Sequence, residues 1–410
     1  MSGKPIKVLH INTTDTSGSA IAARRISDAV RKKKVDSVML VLDKLFLSEP
    51  YVTGYFDSYK GKAYKLKALL QRNLLPSYYQ WKTKPALPEG EMFTFPKSLI
   101  DVTKHPLYST ADIIHLHFIS DFVDIPSFFR KNNKPVVWTL HDMNPFSGGY
   151  HIKENNMKIH PGIQKLKQLN LSIKRAAYDL TSKMIITAPS KWLIEEVEKS
   201  KVFSKFNHVL LPNLIDLNHY KPYPQKIARD ILKIPATHKK IILFIADDHN
   251  APNKGKEAFL WIYEKLMSKF LFIVAGKGSD SEDYNQPEIH RLGYISSELL
   301  LPLVYSAADV TLVPSGIESF SLVTLESLAC GVPVAAYNTT GPAEIIEHKK
   351  SGYLADIDDK GSLIDGIELI LNDSENGKMK INAELRAKEF DSEIISGKFI
   401  ELYRNLLIGS

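Results

Sequence analysis

The strongest constraint on the fold is an alternation that runs the length of the chain, in which short apolar, β-branched runs are each followed by a stretch whose apolar residues recur at helical spacing. Strands are expected at Ile6–Ile11, Val38–Leu42, Ile113–Leu116, Val136–Leu140 and Met184–Thr187, then at Ile241–Ile245, Leu271–Ala275, Val310–Val313 and Val332–Ala335. Strands this short and apolar, separated by helices, predict parallel sheets covered on both faces. A chain of 410 residues exceeds what one core usually holds, so two doubly wound α/β domains follow. The proline-rich segment from Pro212 to Pro224 interrupts both patterns and marks the boundary.

Composition narrows the function classes. The chain is 44% hydrophobic and 24% charged, and no apolar run approaches the roughly 20 residues of a membrane span. The opening MSGKPIKVLHIN already reads as a strand rather than a leader. The single cysteine, Cys330, fits a reducing cytoplasm and reads as core packing. Net charge is +7, concentrated between Lys60 and Lys84, where seven basic residues and no acid are interleaved with aromatics. Leu66, Leu70 and Leu74 repeat there at helical spacing, a pattern suited to an anionic membrane surface or a lipid-phosphate acceptor. Neither an aromatic platform nor a groove-reading helix accompanies that charge, so nucleic acid is not an expected partner.

Two carboxylates stand eight residues apart in PSGIESFSLVTLESLACGVPV, Pro314 to Val334. Glu318 falls in the loop after a strand. Glu326 falls in an amphipathic run expected to form a helix from Ser319 or Phe320 to Gly331, a residue suited to the left-handed conformation past a helix end. The helix start offers unpaired N–H groups and a partial positive charge, a place for phosphate or diphosphate. Helical rise puts Glu326 about 9 Å from that mouth, so one extended ligand can touch both acids.

The Glu-x7-Glu spacing followed by ACGVPV resembles retaining glycosyltransferases of the GT-B fold, family 4, and further segments match in the same order. The resemblance implies two Rossmann-like domains facing a central cleft: residues 1–215 on the acceptor side, residues 216–390 binding a nucleotide sugar, and residues 391–410 as a helix returning to the first domain. It places Glu318 near the transferred sugar, Glu326 on the ribose hydroxyls, and the donor diphosphate over Ser319, Phe320, Ser321 and Leu322. Lys254, in DDHNAPNKGKEAF, matches the lysine that neutralises the diphosphate. The family's arginine position is occupied by the acidic Ala246-Asp247-Asp248, leaving the charge to Lys254, the helix N–H groups and His249. His141, in VVWTLHDMNPF, matches a histidine that contacts the donor sugar, with Asp142 and Asn144 helping to orient sugar or acceptor. Gly18 matches a glycine-bearing loop, Tyr294 and Ile295 the turn whose backbone receives the base, and Asn213 a cleft residue.

His115 and His117, in IIHLHF, are expected to point to opposite faces of their strand, which argues against a zinc site; no metal and no cofactor beyond the donor is expected. The expected activity is transfer of a hexose or N-acetylhexosamine from a nucleoside-diphosphate sugar, UDP-linked for example, to a hydroxyl of a glycan or lipid-linked saccharide, as in surface polysaccharide synthesis. The expected location is the cytoplasm, at the inner face of the membrane through residues 60–84. The competing readings are a non-catalytic GT-B subunit that binds a glycan or supports a partner transferase, favoured by the missing arginine, and a sugar-nucleotide epimerase on the same fold.

Overall fold

The computed structural model describes residues 4–45, 49–58, 70, 74, 92–152 and 160–408. The basic segment 60–84 lies outside the described residues apart from Leu70 and Leu74. The chain divides into two compact units, Met1–Pro212 with Ile395–Ser410, and Asn213–Ile394.

The first unit holds a seven-stranded, all-parallel sheet ordered β3-β2-β1-β4-β5-β6-β7. Its strands are β1 (Lys7–Thr14), β2 (Asp36–Asp43), β3 (Val52–Gly54), β4 (Ile113–Leu116), β5 (Val136–Thr139), β6 (Met184–Ala188) and β7 (Asn207–Leu210). Central strands β4 and β5 are buried at every position, as a parallel sheet covered on both faces requires. Leu9 and Ile11 enter one core with Trp138, Phe129 and Tyr178. The intervening positions of the same strands, His10, His115 and Thr139, are buried on the other face.

The second unit repeats the plan with six parallel strands ordered β10-β9-β8-β11-β12-β13. They are β8 (Ile241–Asp248), β9 (Leu271–Lys277), β10 (Ile289–Gly293), β11 (Val310–Val313), β12 (Val334–Tyr337) and β13 (Gly352–Ala355). The period of two is explicit in β8: Ile241 and Leu243 join the core on one face, Ile242 and Phe244 the core on the other. Cys330 is 2% exposed within the first of these cores, as its apolar surroundings in the sequence predict. Both sheets have the order of doubly wound folds, whose strand C-termini carry the ligand-binding loops.

Candidate active site

In the second unit the site grows from a glycine. Gly255 has φ +74°, and a Cβ there would lie 2.0 Å from the carbonyl oxygen of Pro314. Only glycine permits this approach. It seats the turn Pro252–Lys254 after β8 against the loop after β11, where Gly316 N donates to Asn253 O at 3.1 Å and Asn253 Nδ2 to Ile317 O at 3.1 Å. The clasp brings together two residues 64 apart in sequence: Lys254 Nζ donates to Glu318 Oε1 at 2.9 Å. Burial of Glu318 acts to raise its pKa, but the Lys254 charge and hydrogen bonds from Lys254, Ser315 and Ser321 together outweigh it and hold the carboxyl below its ordinary value. Thr340 Oγ1 receives Glu318 N at 3.0 Å, fixing the backbone of the acid.

The helix after Glu318 runs Leu322–Ala329, two to three residues later than expected, because Ser321 is the N-cap. Its hydroxyl accepts from Thr324 Oγ1 at 3.0 Å and its φ of +81° is a conformation non-glycine residues seldom adopt. The helix ends as expected, with Gly331 left-handed at φ +70°. Glu326, 4% exposed, accepts from Tyr305 Oη at 2.7 Å. Ser319 and Leu322 are half-buried at this mouth, whereas the Phe320 side chain is a core group against Phe390, leaving only its backbone to face a ligand.

Tyr294 is exposed beside Ile295, with the Lys277 ammonium 5.1 Å from its ring. Asn213 is 5% exposed and its Oδ1 accepts no hydrogen bond among the described residues. His249 departs from expectation. Its Nε2 reaches the Ala275 carbonyl at 2.8 Å, its Nδ1 lies 3.1 Å from Tyr284 Oη, and it is 1% exposed, so both nitrogens are committed to the fold. Burial lowers its pKa, which removes it as a cation for a leaving group. Asp247 pairs loosely with Lys277 at 3.6 Å.

In the first unit His141 follows β5 and is half-buried. The expectation that His115 and His117 face opposite ways is wrong: residues two apart on a strand share a face, and their rings stack at 4.2 Å between centroids. His10, opposite His115 in the β1–β4 register, joins them, and ligand atoms of the three lie within 4.8 Å of one another. His10 Nδ1 lies 2.9 Å from His117 Nε2, and His117 Nδ1 lies 3.0 Å from His141 Nε2. His115 is held by Tyr403 Oη and Thr139 Oγ1, each at 2.7 Å. Burial pushes His10 down to about 3 and His141 to about 4, and places His115 and His117 well below the ordinary range, so all four are neutral at physiological pH.

The loop after His141 is held by a network in which His151, Thr94 and Lys174, for which the sequence carries no signal, engage Asp142 and Asn144, which were expected to orient sugar or acceptor. Asp142 Oδ2 lies 2.6 Å from His151 Nδ1, and His151 Nε2 lies 2.9 Å from Thr94 Oγ1. The order acid, imidazole, hydroxyl is that of a nucleophile triad. Thr94 Oγ1 also accepts from Asn144 Nδ2 at 2.8 Å and is 8% exposed, so here the network fixes the loop. Lys174, fully buried, donates to the carbonyls of Asn144 and Ser147. Gly18 opens the helix Gly18–Lys32, capped by Ser17 Oγ accepting from Ala20 N at 3.2 Å, and a Cβ at Gly18 would meet nothing within 4 Å.

Two doubly wound units, one presenting a lysine–glutamate pair at a helix mouth with a buried second glutamate, define a protein of the GT-B glycosyltransferase class. Residues 227–386 match the family Glycosyl transferases group 1. The D-inositol 3-phosphate glycosyltransferase of Mycolicibacterium smegmatis is 30% identical over 340 residues, 78% of this chain and 73% of that protein. Sucrose-phosphate synthase from Thermosynechococcus elongatus superposes with a TM-score of 0.71 at 18% identity, covering 99% of this chain and 100% of that one. Anabaena HepE in complex with UDP-glucose gives 0.63 at 16% identity, covering 98% and 100%. The chain belongs to the glycosyl transferases group 1 family.

Proposed function

We propose that this chain is a metal-independent, retaining transferase that moves a hexose or N-acetylhexosamine from a nucleoside-diphosphate sugar to a hydroxyl of a glycan or lipid-linked saccharide. The observation that carries the reading is the Lys254–Glu318 pair, locked by Gly255 against Pro314 at the mouth of the helix that bears Glu326. An ammonium has three donors, and one engaged by Glu318 leaves two for diphosphate oxygens. In this reading the diphosphate lies over the backbone of Ser319 to Leu322, where preorganised N–H groups and Lys254 stabilise charge as the glycosidic bond breaks. Glu318, kept ionised, accepts hydroxyls of the transferred sugar, and Glu326 accepts the ribose hydroxyls. Tyr294 and Ile295 receive the base, while His141, Gly18 and Asn213 serve the sugar and donor as the family resemblance implies. The leaving phosphate takes the acceptor proton on the same face, so the anomeric configuration is retained.

HepE is described in complex with UDP-glucose, and this favours starting with uridine donors. Thermal shift against UDP-, GDP- and ADP-sugars, in the presence and absence of EDTA, tests donor and metal independence. Stabilisation lost in Lys254→Ala and Glu326→Ala supports the reading, and NMR of the product anomer tests retention. The absence of any response to all donors would refute it in favour of a non-catalytic subunit, the reading that the acidic Asp247-Asp248 at the family's arginine position supports. No described helix is long and apolar enough to cross a membrane. Association of residues 60–84 with anionic lipid at the cytoplasmic face is proposed from charge alone, and co-flotation with phosphatidylglycerol vesicles tests it.

A further inference from the structure

Three buried histidines of the first unit are unused by the proposed mechanism, yet one of them touches His141. A neutral imidazole has one N–H and one bare nitrogen, so a row of neutral imidazoles joined by hydrogen bonds has only two self-consistent proton arrangements. In one, every proton sits on Nδ1: His10 donates to His117 Nε2, and His117 donates to His141 Nε2. In the other, every proton sits on Nε2 and both bonds run backwards.

The end of the row decides between them. His10 is 0% exposed, and its Nε2 has no hydrogen-bond partner among the described residues. The backward arrangement would bury an N–H there with nothing to receive it, which folded proteins rarely tolerate, whereas the forward arrangement leaves only a bare lone pair. The neighbouring ring cannot complete the row, since both nitrogens of His115 are occupied by Tyr403 and Thr139. The same occupancy argues against a metal at His10, His115 and His117: of their six nitrogens, five are engaged, and His10 Nε2 alone has no partner among the described residues.

We propose that His10 and His117 are positioning residues, a one-way relay that fixes His141 as the Nδ1–H tautomer with Nε2 occupied as an acceptor. With Nε2 receiving the His117 N–H, His141 cannot act as a base through that nitrogen. The catalytic part of this inference rests on the reading of His141 as a sugar contact; the tautomer assignment does not.

The test is long-range 1H–15N correlation on full-length protein labelled with 15N-histidine at pH 7.5, with His141 assigned through His141→Ala. The wild type is expected to show His141 protonated at Nδ1. His117→Phe, which removes the donor, is expected to release His141 to the Nε2–H form and to lower kcat/KM about 10²-fold, the scale of a misplaced contact group. His117→Asn keeps an N–H donor near the Nδ1 position and is expected to restore both the tautomer and most of the rate. His10→Phe serves where His117→Phe does not fold, with a mixed His117 tautomer as the expected result. An Nε2–H His141 in the wild type, a tautomer indifferent to His117→Phe and His10→Phe, or ring signals shifted by a bound metal would each overturn the relay. A wild type with the expected tautomers that binds no nucleotide sugar would refute the proposed function and leave the assignment standing.

Discussion

His10, His115, His117 and His141, together with the separately buried His105, which burial pushes down to about 4, set a steep dependence of stability on pH. At pH above about 7.5, His10, His105, His115, His117 and His141 are essentially uncharged in both the folded and the unfolded chain and contribute little slope. Below it the unfolded chain binds a proton at each, while burial keeps the folded chain from doing so until near 4 for His141 and near 3 for His10. The unfolded state then binds more protons, and stability falls as pH falls. Between pH 7.5 and 5.5 each group forfeits roughly 1.3 kcal/mol, or about 6.5 kcal/mol for five, comparable with the whole stability of a domain. Trp138 reports on this region, because its indole donates to the His117 carbonyl at 3.0 Å. Urea titrations following Trp138 fluorescence, with Trp81, Trp192 and Trp261 replaced by Phe, should show the midpoint dropping steeply across that window. With five such groups in the unit, His10→Phe should flatten the slope by about a fifth. A total change below about 1.5 kcal/mol, one histidine's worth, would show that the cluster titrates while folded and would refute the burial argument.

Further expectations concern the second unit and the first loop. Lys254→Met and Glu318→Gln should each destabilise by about 1–3 kcal/mol, and the double variant by less than their sum; strict additivity in denaturant midpoints would mean the pair is not coupled. Gly18→Ala should leave the melting temperature unchanged or raise stability by up to about 1 kcal/mol, while a fall in donor binding measured on the same sample would place a ligand against that backbone. Cys330→Ser should cost about 1–3 kcal/mol by burying a hydroxyl among apolar groups, and the wild-type thiol, buried and with its pKa pushed up, should resist maleimide until the protein unfolds.

The parts of the fold legible in the sequence are those whose burial is complete. The nine strands expected from apolar runs are the interior strands of the two sheets, while β3, β7, β10 and β13 were not foreseen, and these are the four edges. An edge strand is covered on fewer sides, and Asn207–Leu210, exposed or half-exposed throughout, has no apolar run to betray it. The histidine relay was legible in principle. His115 and His117 are two apart, and correct use of the strand period would have put them on one face, though not opposite His10, since strand order is non-local. The Lys254–Glu318 contact was not legible from spacing, because 64 residues and a glycine-permitted backbone approach separate the two side chains. Lys174 gave no signal either. A lysine in an amphipathic helix reads as solvated, and here three oxygens of the loop after His141 receive its ammonium.

The distinction between residues the fold explains and residues it does not bears directly on function. Gly255 is required by the Pro314 carbonyl, and Gly341 by the backbone of Phe320, 2.3 Å from where a Cβ would stand. His249 and Cys330 are likewise accounted for by their own surroundings. The fold gives no such reason for Gly18, whose Cβ would meet nothing within 4 Å among the described residues, or for the buried Oδ1 of Asn213, which accepts no hydrogen bond among them; Ser321 holds its positive φ while capping the helix and bonding Glu318. A strained non-glycine φ costs on the order of 1–3 kcal/mol, and a buried acceptor without a donor is also unfavourable, though folded proteins tolerate it more often than a buried unpaired N–H. Such terms persist in a stable protein when another interaction offsets them, and a bound donor supplying N–H or O–H groups to Asn213 and phosphate oxygens to the turn at Ser321 would offset both. Donor binding should therefore stabilise Asn213→Ala and Ser321→Gly less than the wild type, read as a smaller rise in melting temperature at the same donor concentration.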